Sequence, residues 1–221
     1  MIAWPIAAAR ESALFDRIVV STDDGEIAET ARREGAETPF VRPPELSGDF
    51  TGTGEVVAHA VRWFLDRGES VEAVCCIYAT APFVRPADLS QGKRLLEESG
   101  ASYAFSVTSF PFPIQRALRL DGAGRVEPFF PGHADSRSQD LEEAYHDAGQ
   151  FYWGRPGAYL DGTPLFSPAS VPVLLPRYRV QDIDTEEDWT RAELMFDALS
   201  RREPARGEEG SHPPARRTEE R

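Results

Sequence analysis

Asp182 and Asp184 are separated by one residue, Ile183, in the stretch Arg177-Tyr-Arg-Val-Gln-Asp-Ile-Asp-Thr-Glu-Glu-Asp-Trp189. Side chains two apart in an extended chain point the same way, so the two carboxylates share a face while Ile183 turns inward. Acids this close, with three more just after, repel each other unless a cation sits among them. A hard divalent ion held by one or two carboxylates and by substrate phosphates meets that need, which is the usual way of binding magnesium. The plainer alternative is a strand end followed by an acid-rich helical turn that suits the macrodipole.

Other candidates stand in loops. Arg42, Thr51 and Thr53 lie in a Pro- and Gly-rich connection before a helix start, a place suited to an anion, or else an ordinary loop. Thr80 falls in a turn shaped by Pro82. Arg137, in Ser136-Arg-Ser-Gln-Asp140, has the fork geometry to clamp a carboxylate or phosphate, or is simply solvated. His146 titrates in the range useful for phosphate chemistry, although a lone histidine more often serves packing. His59 follows helical spacing with Val56 and Trp63 and reads as structural.

The elements that must position these residues alternate. Helices are expected at 1–14, 24–34, from the loop after Arg42 through Leu65, up to Ser99, and at 185–200. Short strands are expected at 17–21, 37–41, 71–78, 101–108, 115–120, 126–130, 150–153 and 174–182. The run 71–78 is apolar enough for burial on both faces of a parallel sheet, and 131–148 reads as irregular. This order implies one α/β domain over 1–200 with a mostly parallel sheet, and a disordered tail at 201–221.

Composition narrows the function. Lys+Arg total 24 against Asp+Glu 37, a formal charge of -13, which excludes nucleic acid and anionic membranes as expected partners. Lys93 is the single lysine, so phosphate chemistry must rest on arginine, metal or backbone N–H groups. No apolar run approaches the ~18 residues of a membrane helix. The adjacent Cys75 and Cys76 point to opposite faces of a strand and read as core thiols of a cytoplasmic protein.

Phe15-Asp-Arg-Ile-Val-Val-Ser-Thr-Asp-Asp24, Arg42-Pro-Pro-Glu-Leu46, Asp147-Ala-Gly-Gln-Phe-Tyr-Trp153 and Gln181-Asp-Ile-Asp-Thr-Glu-Glu-Asp188 together resemble the cytidylyltransferases that activate nonulosonic acids. The resemblance runs in order over roughly 1–199, and 137–141 with 149–153 resemble the branch acting on pseudaminic acid more than the sialic acid branch. It implies a Rossmann-like nucleotide-diphospho-sugar transferase fold with an inserted antiparallel segment that mediates homodimer formation. It implies transfer of CMP from CTP to the sugar acid with release of pyrophosphate, assisted by Mg2+. Asp182 and Asp184 match the metal-binding aspartates, and Arg42 and Thr53 match nucleotide-loop positions. The resemblance places Thr80 in the loop facing the pocket, and Arg137 is expected at the sugar carboxylate or phosphate. His146 sits where sialic acid enzymes carry a second arginine, and Gln139 and Gln150 lie inside matching motifs as substrate contacts. Family members also carry a strand and a Gly-, Ser-, Lys- and Arg-rich phosphate loop ahead of the helix that starts here at Met1. The expectation from their absence is weak activity, with a catalytically silent nucleotide- or sugar-binding protein as the alternative.

Overall fold

A computed structural model describes residues 1–133 and 135–201, so the expected tail lies outside the described residues apart from Arg201. Among these residues six α-helices form: α1 Ala3–Ser12, α2 Gly25–Arg33, α3 Thr53–Leu65, α4 Pro86–Ser99, α5 Pro156–Leu160 and α6 Glu186–Ser200. Their ends follow local chemistry. Asp24 accepts the N–H groups of Glu26 and Ile27 at 2.8 and 2.9 Å to start α2. Pro86 opens α4, where its missing N–H costs nothing, and Gly100 closes it at φ +68°. Thr185 and Asp188 form a reciprocal capping box at α6. The short α5 escaped the sequence reading, since five residues are too few to show a period.

The strands are β1 Val74–Ile77, β2 Tyr103–Ser109, β3 Leu118–Leu120, β4 Val126–Pro128, β5 Tyr145–Gly154 and β6 Ser170–Leu174. The main sheet has the order β1-β5-β2-β6. β5 is antiparallel to β1 and β2, and β6 is parallel to β2, so three strands run one way and β5 alone against them. Helices and sheet make the expected α/β architecture, but the sheet is mixed rather than mostly parallel, since two of its three pairings are antiparallel. β3 and β4 form a separate antiparallel hairpin.

Four further expectations need correction. The strand expected over 174–182 ends at Leu174, and Arg177–Arg179 form a 3-10 turn instead. Alternation there mimics a strand, but Pro176 opens the turn and Arg179 is driven inside by an ion pair. β5 begins at Tyr145, inside the segment read as irregular, because its polar start pairs with the end of β2. The runs at 17–21 and 37–41 meet only in one parallel bridge, Val19 with Glu37. Glu37 N–H donates to Ile18 and Val20 N–H to Glu37, but Pro39 has no N–H for the next rung. Finally, β1 is half-buried rather than fully buried, as befits a strand that among the described residues is hydrogen-bonded only to β5.

The core fills the space between α4 and the sheet. Leu89, Leu96, Phe151, Trp153 and Val173 are buried together, and Phe15 stacks on Trp153 at 5.1 Å. Gly92 is required on α4 because a Cβ there would stand 2.6 Å from the Trp153 ring. Trp153 in turn donates its indole N–H to the Leu89 carbonyl at 2.9 Å. This contact locks β5 to α4, and β5 carries the site.

Candidate active site at the β5 bulge

The pairing of β2 with β5 slips between Phe105 and Val107. Phe105 lies opposite Tyr152 and Val107 opposite Asp147, so Ser106 alone faces the four residues 148–151. The bulge is satisfied from within. Ser106 Oγ accepts the N–H groups of Gln150 and Phe151 at 3.3 and 3.1 Å, and Asp147 Oδ1 accepts the Gly149 N–H at 2.9 Å. Gly149 takes φ +62°, and a Cβ on it would stand 3.1 Å from Asp182 Oδ1. The bulge thus presents bare backbone to Asp182, which only glycine allows.

Asp182 reaches this position without a strand. Arg179, 6 % exposed, makes a two-pronged ion pair with Asp88 of α4 at 2.6 and 3.1 Å. The Gln150 amide donates to the Arg179 carbonyl at 2.6 Å. Upstream, Leu175 N–H donates to Val107 O and Thr108 Oγ1 donates to Leu175 O, both at 2.8 Å. These bonds replace the missing ladder and fix the segment three residues before Asp182. Beyond it, Gln181 donates to Asp188 Oδ1 at 2.9 Å, tying the segment to the capping box of α6.

Asp182 and Asp184 are both exposed, and Ile183 between them is half-buried. Partial burial raises the Asp182 pKa first, and the charge of Asp184 raises it further; Asp147 and Asp188 add smaller pushes in the same direction. A carboxylate pushed this way is one that a cation would relieve. Among the described residues no group of three or more His, Cys, Asp or Glu is disposed to hold a metal ion.

No contact joins the other sequence-predicted residues to this pair among the described bonds. Arg42 is half-buried, its guanidinium bonded to the carbonyl and, at 3.2 Å, to the hydroxyl of Ser21. Thr53 opens α3 and shares a 3.2 Å hydrogen bond with the Tyr78 hydroxyl at the end of β1. Thr80 stands exposed in the next turn. Arg137 is exposed and pairs with Asp140 at 2.7 and 3.1 Å, with Gln139 exposed in the same 3-10 turn, Ser138–Asp140. His146 lies opposite Thr108 on β5, its ring 4.7 Å from Phe110.

Gln150 is 1 % exposed and is spent on the Arg179 carbonyl, so here it holds the carboxylate segment rather than facing solvent as a substrate contact would. Asp147, Tyr152 and Tyr78 were missed by sequence reasoning. The Asp-x-Gly spacing at 147–149, suited to a side chain that caps its own turn, was the available signal. A groove of about 450 Å³ between α1, Pro82 and α6 has aromatic walls from Trp4, Trp189 and Phe196 and contains none of these residues.

A family model described as cytidylyltransferase matches residues 1–152. The chain is 40% identical over 196 residues to proteins named pseudaminic acid cytidylyltransferase from two strains of Campylobacter jejuni, covering 89% of this chain and 84% of each relative. It is 30% identical to N-acylneuraminate cytidylyltransferase A of Danio rerio, over 87% of this chain and 44% of that protein. Among solved structures, CMP:2-keto-3-deoxy-manno-octonic acid synthetase complexed with CTP superposes with a TM-score of 0.54 at 12% identity, covering 87% of this chain and 88% of that one. The 4-diphosphocytidyl-2C-methyl-D-erythritol synthase of Anaerococcus prevotii gives 0.53 at 13% identity, with the same coverage. At such identities the two structures speak for the fold alone.

Proposed function

The chain belongs to the cytidylyltransferase family, and from that premise we propose that it joins CTP to a nonulosonic acid, pseudaminic acid, giving the CMP-sugar and pyrophosphate. The observation that carries the reading is the 40% identity, over 89% of the chain, to proteins named for that activity. In the reaction the sugar's anomeric hydroxyl oxygen forms a bond to the α-phosphorus, the α–β phosphoanhydride bond breaks, and the hydroxyl proton leaves.

Each group of side chains has a part in this. Arg42 and Thr53 flank the loop before α3 and would hold the triphosphate, since a net charge of -13 offers no general attraction for it. Arg137 and Gln139, with His146, would orient the sugar acid, an exposed guanidinium being suited to its carboxylate. Asp182 and Asp184 would hold Mg2+. Two carboxylates leave most of its coordination to phosphate oxygens and water, which suits magnesium. When bound, the ion offsets charge on the triphosphate.

Two further features support finer points. No helix among the described residues is long and apolar enough to cross a membrane, and Cys75 and Cys76 are unbridged, in keeping with a cytoplasmic site of action. The β3–β4 hairpin exposes Leu118, Leu120 and Val126, which fits burial against a second copy in a homodimer.

The test is pyrophosphate release from CTP, with and without Mg2+, for pseudaminic, sialic and legionaminic acids. Release with pseudaminic acid well above the other two is the expected result. Release with none of them would overturn the reading.

A further inference from the structure

The Tyr152 hydroxyl donates to Asp147 Oδ2 at 2.7 Å, a contact the bulge creates by folding 148–151 out of the ladder. The other oxygen of Asp147 accepts the Gly149 N–H. Both oxygens are engaged inside the protein, so Asp147 holds the bulge beside Asp182 rather than offering a free carboxylate. Tyr152 is 4 % exposed, its ring 5.0 Å from that of Tyr78 and 6.1 Å from Phe105, on which it stacks. Tyr78 then shares its hydroxyl with Thr53 at the first turn of α3.

Burial above all, then the bond to Asp147, holds the Tyr152 hydroxyl protonated far beyond its usual range, with Tyr78 contributing. Tyr152 therefore acts as a hydrogen-bond donor and not as a base. Phenylalanine at 78 and 152 would fill the same aromatic cluster without burying polar atoms. What the two hydroxyls add is connection at either end, Tyr78 to Thr53 and Tyr152 to Asp147 of the bulge that cradles Asp182, with the two rings in contact at 5.0 Å and the Tyr78 hydroxyl felt at that of Tyr152.

We propose that Tyr152 and Asp147 are positioning residues which, through Tyr78, hold the Thr53 turn in register with the Asp182–Asp184 pair, so that triphosphate and carboxylates meet in one geometry. The inference rests on the cytidylyltransferase reading above. A hydroxyl deletion that loosens this register weakens nucleotide binding without removing any group that touches the nucleotide, apart from the bond to Thr53.

The experiment compares wild type with Tyr78→Phe, Tyr152→Phe, the double variant, Asp147→Ala and Asp147→Asn. CTP affinity is read by calorimetry, KM for CTP and kcat by pyrophosphate release, and stability by thermal melting. Each Phe variant should weaken CTP binding about 5-fold, the size of one lost hydrogen bond, and the loss should appear in KM rather than kcat. The double variant should fall no further than the weaker single, because one broken link already frees the turn. Asp147→Ala should match Tyr152→Phe or exceed it. Asp147→Asn, which keeps an acceptor for Tyr152, should recover part of the loss. CTP affinities within twofold of wild type, even with lowered melting points, overturn the proposal. So do losses that multiply in the double variant, since they mark two independent packing defects. A wild type that binds CTP but releases no pyrophosphate overturns the transferase reading alone, and the affinities still decide the positioning role. A wild type that binds no CTP overturns both.

Discussion

Asp182 is held in an unfavourable state, and the cause is local. Partial burial and the adjacent Asp184 both disfavour its ionised form, so its folded pKa lies above that of the unfolded chain. The penalty is fully present above the folded pKa and vanishes below the unfolded one. Metal-free Asp182→Asn should therefore melt higher than wild type at pH 7, with the gap closing as pH falls through the carboxylate range. The same variant should lose about 100-fold or more in pyrophosphate release, the scale of removing a group that stabilises transition-state charge. Thermal melts across pH 3–8 beside turnover assays check both halves, and a destabilised Asp182→Asn would refute the electrostatic account. Gly149 is the second sensitive residue. At φ +62° and with 3.1 Å to Asp182 Oδ1, Gly149→Ala should cost about 1–2 kcal/mol and displace the carboxylate. Urea unfolding and the Mg2+ concentration at half-maximal activity are the measurements, and both should worsen. The exposure of Asp182 and Asp184 around a half-buried Ile183 was legible in the sequence, because the alternation of burial survives even where no ladder forms. Asp147 was not, since its closeness to Asp182 depends on a slip between β2 and β5 that no local pattern announces.

The segment from Leu175 to Asp184 is where sequence pattern and structure part. Its alternation of polar and apolar residues is strand-like, yet β6 stops at Leu174, and Arg179 points inward to Asp88. The pattern records which side chains face in, and an ion pair can set that as well as a core can. Pro172 inside β6 also hid that strand; it is tolerated because β6 pairs only with β2 among the described residues, at the rim of the sheet. By contrast, the ends of α2, α4 and α6 were readable, because Asp24, Pro86, Gly100 and Thr185 act through bonds to their own neighbours. The consequence for stability is specific. Asp88→Asn leaves the Arg179 guanidinium, 8 % exposed in its side chain, without its counter-charge and should cost about 3 kcal/mol. Replacing both residues with Met and Leu should return much of that stability, as measured by urea unfolding. Activity should stay low in the double variant, because the pair also anchors the chain three residues from Asp182. Full recovery of turnover would mean that Leu175 and Gln150 suffice to hold the carboxylates.

At the scale of the molecule, the hairpin of β3 and β4 is the feature least explained by a single chain. Its two faces differ in character. On one, Arg119 and Glu127 form an ion pair at 3.1 Å, an ordinary solvated arrangement. On the other, Leu120 lies directly opposite Val126 and Leu118 opposite Pro128, with Leu118, Leu120 and Val126 each at least 60 % exposed. Phe112 and Phe129, exposed at 79 % and 55 %, extend the apolar surface beyond the two strands. A two-stranded ribbon with an uncovered hydrophobic face is marginal alone, and such patches mark association sites. A second copy supplies a matching face by symmetry, because a two-fold interface is self-complementary. The chain of 24.5 kDa should therefore sediment at twice that mass. Leu120→Glu should put two like charges into the centre of that face and drive the protein to single-chain mass, with the far-ultraviolet spectrum unchanged. Sedimentation velocity on both proteins over a hundredfold concentration range decides it. Wild type remaining at single-chain mass throughout would leave the hairpin face to some other cover. Because Arg137 and Gln139 sit in the segment that returns from this hairpin to β5, loss of the dimer should also raise the KM for the sugar acid while sparing that for CTP.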